Sequence, residues 1–184
     1  MQVSLVPHPE FRGEVVTGID IDVARASPAA LALRYIVRGD IGKLRLPLIA
    51  NTERADGLWQ HTCFEAFLKS GTSGTYHEFN FAPSTQWAAY RFSGYREGMV
   101  PAGQIATPAM ALRDKGGLIE MEVALDLEAL PEIAEAAILQ VGLSAVIEET
   151  DGRKSYWALA HPAGRPDFHH PDCFALQLPA ASPP

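Results

Sequence analysis

Apolar and polar side chains alternate with period two along most of this chain, while the three-to-four spacing of an amphipathic helix is almost absent. Val3–Val6 reads as a short strand stopped by Pro7 and Pro9. Val15–Val23 carries Val15, Ile19, Ile21 and Val23 on one parity, and Leu31, Leu33, Tyr35 and Val37 repeat the pattern up to Gly39-Asp40. Leu44–Ile49 predicts a further strand, which Pro47 restricts to an edge or a bulge because proline has no N–H for a ladder. Ala106–Leu112 is a weaker strand, and Ile119, Met121, Val123 and Leu125 alternate with charged neighbours as in a half-exposed strand. Asp126 is placed to cap one or two helical turns. Leu139–Glu148 and Ser155–Ala160 predict a hairpin around Asp151-Gly152, and Phe174, Leu176 and Leu178 a closing strand before the irregular end ASPP. About ten short strands with little helix predict an all-β fold, an antiparallel β-sandwich of jelly-roll type, rather than an α/β fold.

The densest stretch is Leu58–Phe92, with two of the three Trp and five of the eight Phe. Its alternation is broken at SGTSGT and at APST, which predicts three consecutive antiparallel strands. A first loop over Ser70–Thr75 sets Ala66 against Phe79, Phe64 against Phe81 and Glu65 against Asn80. A slip of two residues can oppose Glu65 to Glu78, an unfavourable like-charge pair, so the first register is preferred. A second loop over Pro83–Gln86 sets Ala88 against Phe81 and pairs Glu78 with Arg91, with Trp87 at the rim. The polar face then carries Cys63, Glu65, Glu78, Asn80 and Arg91, and is either solvated or the lining of a ligand site.

Composition narrows the options. At 184 residues the chain is expected to form one domain, residues 1–184, with a full core. A net charge of −7, with 15 basic residues scattered along the chain, argues against nucleic acid as a partner. No stretch reaches the ~18 apolar residues of a membrane-spanning helix, and the N-terminal sequence lacks the pattern of a signal peptide. A cytoplasmic location follows as the default, with Cys63 and Cys173 as free thiols.

The segments LWQHTCFEAFL and YHEFNFAPSTQW, with Glu65 six residues after Trp59, resemble the hallmark of DOMON-like domains and the related family-9 carbohydrate-binding modules. That resemblance implies a β-sandwich that holds a sugar or haem without catalysing a reaction. It implies that Trp59 and Trp157 stack on a sugar ring, that Glu65 accepts hydrogen bonds from hydroxyls, and that Asn80 and Arg91 add polar contacts. His61 and His161 join these as candidate ligand contacts. The chain departs from the family at Thr62, where an Asp is usual. The expected partner is a small sugar-like molecule, with no cofactor required.

A haem- or metal-binding protein, or an enzyme using the histidines, is the alternative. Haem would need axial ligands, for which His61, His77, His161, His169 and Met99 are available. His161, Asp167, His169 and His170 have the composition of a zinc site but lie among three prolines. Cys63 and His61 share a strand face, yet a spacing of ~7 Å along a strand is too long for the hydrogen bond of a catalytic pair.

Overall fold

The alternating segments become two antiparallel layers in the computed structural model, which describes residues 1–71 and 73–181. In chain order the strands are β1 (Gln2–Pro7), β2 (Val16–Ser27), β3 (Ala30–Gly39), β4 (Cys63–Ser70), β5 (Tyr76–Phe81), β6 (Trp87–Phe92), β7 (Val100–Pro101), β8 (Ala109–Asp114) and β9 (Leu118–Asp126). After one helical turn, α1 (Pro131–Ala134), come β10 (Ile138–Glu148), β11 (Lys154–Ala158) and β12 (Leu176–Pro179). The first layer runs β1-β2-β3-β9-β8, and the second runs β7-β6-β5-β4-β10-β11 with β12 beside the start of β10. Strand β1 belongs to both: Val3 pairs with Ile21 of β2, and Val6 with Ala158 of β11. The result is one curled sheet folded on itself, an antiparallel sandwich as predicted. No helix among the described residues is long and apolar enough to cross a membrane.

The core lies where the apolar parities of the two layers meet. Ile19, Ile21 and Val23 of β2, Leu33 and Tyr35 of β3 and Met121 and Val123 of β9 face Phe64, Ala66 and Leu68 of β4, Phe79 and Phe81 of β5 and the odd-numbered residues of β10. The Tyr35 hydroxyl crosses between layers and donates to the Glu65 carbonyl at 2.8 Å. The outer face of the second layer holds another apolar cluster, in which Phe67, Tyr76, Tyr90, Phe92 and Val146 pack beneath Phe168. Strands β4 and β5 are therefore buried on both faces, and the polar parity led by Glu65 and Asn80 is roofed rather than solvated. The roof sits close because β10 has no side chain at Gly142: a Cβ there would lie 3.2 Å from the Cys173 carbonyl and 3.3 Å from the Phe67 Cβ.

The β4–β5 register is the predicted one, with Glu65 opposite Asn80 and Phe64 opposite Phe81. The β5–β6 register differs from the prediction by one residue: Phe81 opposes Trp87, Glu78 opposes Tyr90 and His77 opposes Arg91. The cause is a three-residue turn over Pro83–Thr85, in which Ala82 N–H donates to the Gln86 carbonyl at 2.9 Å and Thr85 takes a φ of +71°. A type I turn closed by a left-handed residue is the usual three-residue hairpin, and it moves every β6 side chain to the opposite parity. Trp87 thus joins the inter-layer core instead of the rim.

Leu44–Ile49 is not a strand. It makes a single bridge, Leu44 to Glu149, and then runs out with Leu48 fully in solvent. Asp126 does not cap α1: its carboxylate accepts from the Glu128 N–H at 2.9 Å, and the helical turn begins after Leu130 with Pro131 in its first position. Of the closing ASPP, only Ala181 falls within the described residues.

Candidate functional site

A cavity of about 770 Å³ opens on the outer face of the second layer. Its floor is the polar parity of β4 and β5, where Glu65 and Glu78 lie. Trp59, Phe92, Tyr156 and Phe168 give it apolar walls, and His61, Arg96, Met99, Lys154 and His169 line it further. The chain segments that roof it are the turn at Leu58–Gln60, the loop after β6 and the loop between β11 and β12.

Both floor carboxyls are deeply buried, Glu65 at 3% and Glu78 at 6% exposure. Glu65 Oε2 accepts from Ser144 Oγ at 3.1 Å, and Glu78 Oε1 accepts from Asn80 Nδ2 at 2.6 Å. Burial pushes the Glu65 carboxyl well above its ordinary range, and the neighbouring Glu78 adds to that; the Ser144 bond opposes it. Burial likewise raises Glu78, against the hydrogen bond from Asn80. Asn80 is fully enclosed and acts through Glu78 rather than at the cavity surface.

A second network positions the roof. Tyr76 Oη lies 2.8 Å from His169 Nδ1 and accepts the Arg96 N–H at 3.2 Å. The other ring nitrogen, Nε2, lies 3.6 Å from Glu78 Oε2. Burial lowers the His169 pKa to about 4, helped by the Arg96 charge, so the ring is neutral at neutral pH. Arg96, at a left-handed φ of +56°, sets Nε and Nη2 on Asp167 Oδ1 at 3.1 and 2.7 Å. Tyr95 donates to the other Asp167 oxygen, and together these bonds tie the loop after β6 to the loop before β12. Burial alone would raise Asp167, but the bonds from Tyr95 and Arg96 hold it below its ordinary value.

Of the residues expected at the site, Trp59, His61 and Glu65 line the cavity. Trp59 is 40% exposed and stands edge-on to Tyr90, with ring centroids 6.1 Å apart. His61 Nδ1 binds Glu148 Oε2 at 2.6 Å. Burial raises Glu148, but the bonds from His61 and Arg45 outweigh it and keep the carboxylate low. Three expected residues are elsewhere. Trp157 is 3% exposed on the opposite side of the layer, opposite Ala145 in the inter-layer core, with its indole N–H on Ser155 Oγ at 3.0 Å. Its neighbour Tyr156 has the cavity-facing parity instead. Arg91 shares the parity of Phe79 and Phe81, so it is turned away from Glu78 and forms no ion pair with it. His161 binds the Val6 carbonyl at 2.9 Å and meets the His8 ring edge-on, outside the cavity lining.

Glu78, Arg96, Tyr156, Phe168 and His169 complete the site; none was expected as a sugar contact, and His169 stood only among the candidate haem and zinc ligands. As a sugar contact, Glu78 carried a sequence signal in its parity with Asn80. No cluster of three metal-ligating side chains occurs among the described residues. Both ring nitrogens of His169 are directed at protein groups, which does not suit an axial haem ligand. Cys63 is free and buried, with Sγ 3.6 Å from Asn80 Oδ1, while His61 is bound to Glu148. Burial raises that thiol well above its ordinary range, the reverse of what a nucleophile needs.

No family model and no curated protein matches the sequence. The fold itself recurs among solved structures. A "putative carbohydrate-binding protein" from Bacteroides uniformis superposes with a TM-score of 0.69 at 12% identity, over 94% of this chain and 83% of that one. A family-9 carbohydrate-binding module from Caldicellulosiruptor kristjanssonii, solved with glucose, gives a TM-score of 0.46 at 12% identity, over 80% of this chain and 69% of that one. At 12% identity the first likeness shows a shared fold.

Proposed function

We propose that this chain binds a carbohydrate or a similarly hydroxyl-rich small molecule in the cavity over β4 and β5, and performs no covalent chemistry on it. The observation that carries the reading is the pairing of two buried carboxyls in the floor with aromatic walls around them. A sugar ring has hydroxyls at its edge and C–H groups on its faces, and needs both kinds of surface at once. Most cavities that hold small molecules combine apolar lining with a few placed polar groups in this way. Glu65 and Glu78 would accept from hydroxyls, and Trp59 would cover one face of the ring from the rim. Tyr156 takes the part that Trp157 cannot. The B. uniformis neighbour's description accords with this reading but does not carry it, given 12% identity.

Isothermal titration against a panel of mono- and disaccharides tests the proposal. Binding at millimolar or tighter Kd that Trp59→Ala weakens supports it. If no sugar in the panel binds at millimolar concentration, the carbohydrate reading is wrong.

A further inference from the structure

The two floor carboxyls share an unusual property: among the described residues neither forms an ion pair with a lysine or arginine, and the Arg96 charge acts on both only from a distance. Each engages one oxygen with a neutral protein donor and leaves the other open. Glu65 Oε2 takes Ser144, and no donor among the described residues reaches Oε1. Glu78 Oε1 takes Asn80, and its Oε2 lies 3.6 Å from the neutral His169 ring. The cations that line the cavity are engaged elsewhere. Arg96 grips Asp167 with two nitrogens, and Lys154 Nζ donates to the Gln60 carbonyl at 2.6 Å. The nearby Arg45 guanidinium pairs with Glu148 at 2.9 Å.

Buried carboxylates are costly without a counter-charge, and charged groups in protein interiors are generally paired. Here two of them lie diagonally across the β4–β5 pair, since Glu65 opposes Asn80 and Glu78 opposes Phe67. Diagonal neighbours stand about 7–8 Å apart at the backbone, within reach of one small group placed between their side chains. A hydroxyl could bridge them but would leave their charge uncompensated. An ammonium would offer three donors and the missing positive charge together.

We propose that the sugar taken by this cavity is an amino sugar, whose unsubstituted ammonium sits between the open oxygens of Glu65 and Glu78. This rests on the carbohydrate reading above and specifies its ligand. The ring is held between Trp59 and the Tyr156 side of the cavity, and the charged nitrogen is directed at the floor. The raised proton affinity of both carboxyls fits the same picture, because the empty pair is relieved of charge by a proton and the filled pair by the ligand.

The test compares glucosamine, N-acetylglucosamine and glucose by titration calorimetry against the intact chain at pH 7. The amine should bind about tenfold or more tightly than glucose, as one charge-assisted contact implies. Acetylation, which removes the charge, should abolish that advantage. In Glu65→Gln and Glu78→Gln the ratio of glucosamine to glucose affinity should fall towards one, with melting curves confirming that each variant is folded. Equal or tighter binding of glucose by the native chain overturns the amine assignment and leaves the carbohydrate reading standing. Binding of none of the three, nor of any panel sugar, overturns both.

Discussion

The two tryptophans that the sequence pairs are separated by a layer of sheet, and substituting each to alanine should separate their roles. Trp157 is 3% exposed, packed between the layers and hydrogen-bonded to Ser155. Truncating a core Trp removes roughly 3–5 kcal/mol through lost transfer free energy and the cavity left behind. In a domain of this length each kcal/mol moves Tm by about 2–4 °C, so Trp157→Ala should melt roughly 6–20 °C lower. Trp59 is 40% exposed and has one aromatic contact, with Tyr90. Such a pair is worth about 0.5–1.5 kcal/mol, so Trp59→Ala should melt no more than roughly 6 °C lower. Ligand affinity should respond in the opposite order. An aromatic anchor at a binding surface contributes roughly 2 kcal/mol, about thirtyfold in Kd, and that loss belongs to Trp59→Ala. The conservative variant Trp157→Phe should keep sugar affinity. Differential scanning fluorimetry and titration on the same preparations give both readings. A Trp157→Phe protein that melts normally yet no longer binds sugar would refute the placement of Trp157 in the core, as would a Trp59→Ala protein as unstable as Trp157→Ala.

Four further outcomes are expected. The raised carboxyls make the native state bind protons more readily than the unfolded chain above the ordinary value of 4.5, so their contribution to stability declines as pH rises from there through their folded values; Tm of Glu65→Gln measured across pH should decline less steeply on this alkaline side than that of the native chain. His169 works in the other sense: its pKa falls from 6.5 to about 4 on folding, so its contribution is full above 6.5 and is lost as pH drops towards 4, a slope that His169→Gln should flatten in the same scan. Gly142→Val should lower Tm and weaken sugar binding together, because its side chain would push on the Cys173 carbonyl and the Phe67 Cβ that hold the roof down; crystals or hydrogen exchange showing the 160–174 segment unmoved would contradict this. Tyr35→Phe should destabilise by roughly 1–2 kcal/mol in a denaturant titration, the worth of a buried hydrogen bond between layers.

The fold was legible because period-two alternation survives over most strands, and the β4–β5 register because its alternatives place like charges opposite each other. The β5–β6 register was not, and the reason is local. Thr85 is β-branched and yet left-handed, a conformation no propensity assigns to it. One residue of error there carried Arg91 and Trp87 to the wrong faces together. Trp157 is a different case. The turn at Asp151-Gly152 pairs Glu148 with Lys154, and counting back along that hairpin sets Trp157 opposite Ala145, on the same parity as Val141 and Leu143. The parity of β11 thus favoured the core, against the family resemblance. Arg96, Tyr156, Phe168 and His169 were out of reach for another reason. Three of them belong to loops or loop ends, and the Arg96–Asp167 bonds join positions 71 residues apart, which no periodicity encodes.

The polar parity of β4 and β5 shows why alternation alone leaves a site ambiguous. A strand reading polar on one side is ordinarily taken to face water. Here the row Glu65, Glu78 and Asn80 is flanked on the same face by Phe67, Tyr76, Tyr90 and Phe92. Those aromatics need cover, and the loops that supply it must pass over the carboxyls as well. Arg96 and Asp167 tie two of the loops together, while Trp59 and Lys154 line the cavity from other segments. Covering the aromatics therefore buries the acids, and the space left above the acids is the cavity. A polar row bordered by aromatics on one sheet face is, on this reasoning, a stronger signal of an enclosed polar site than any of its residues taken singly.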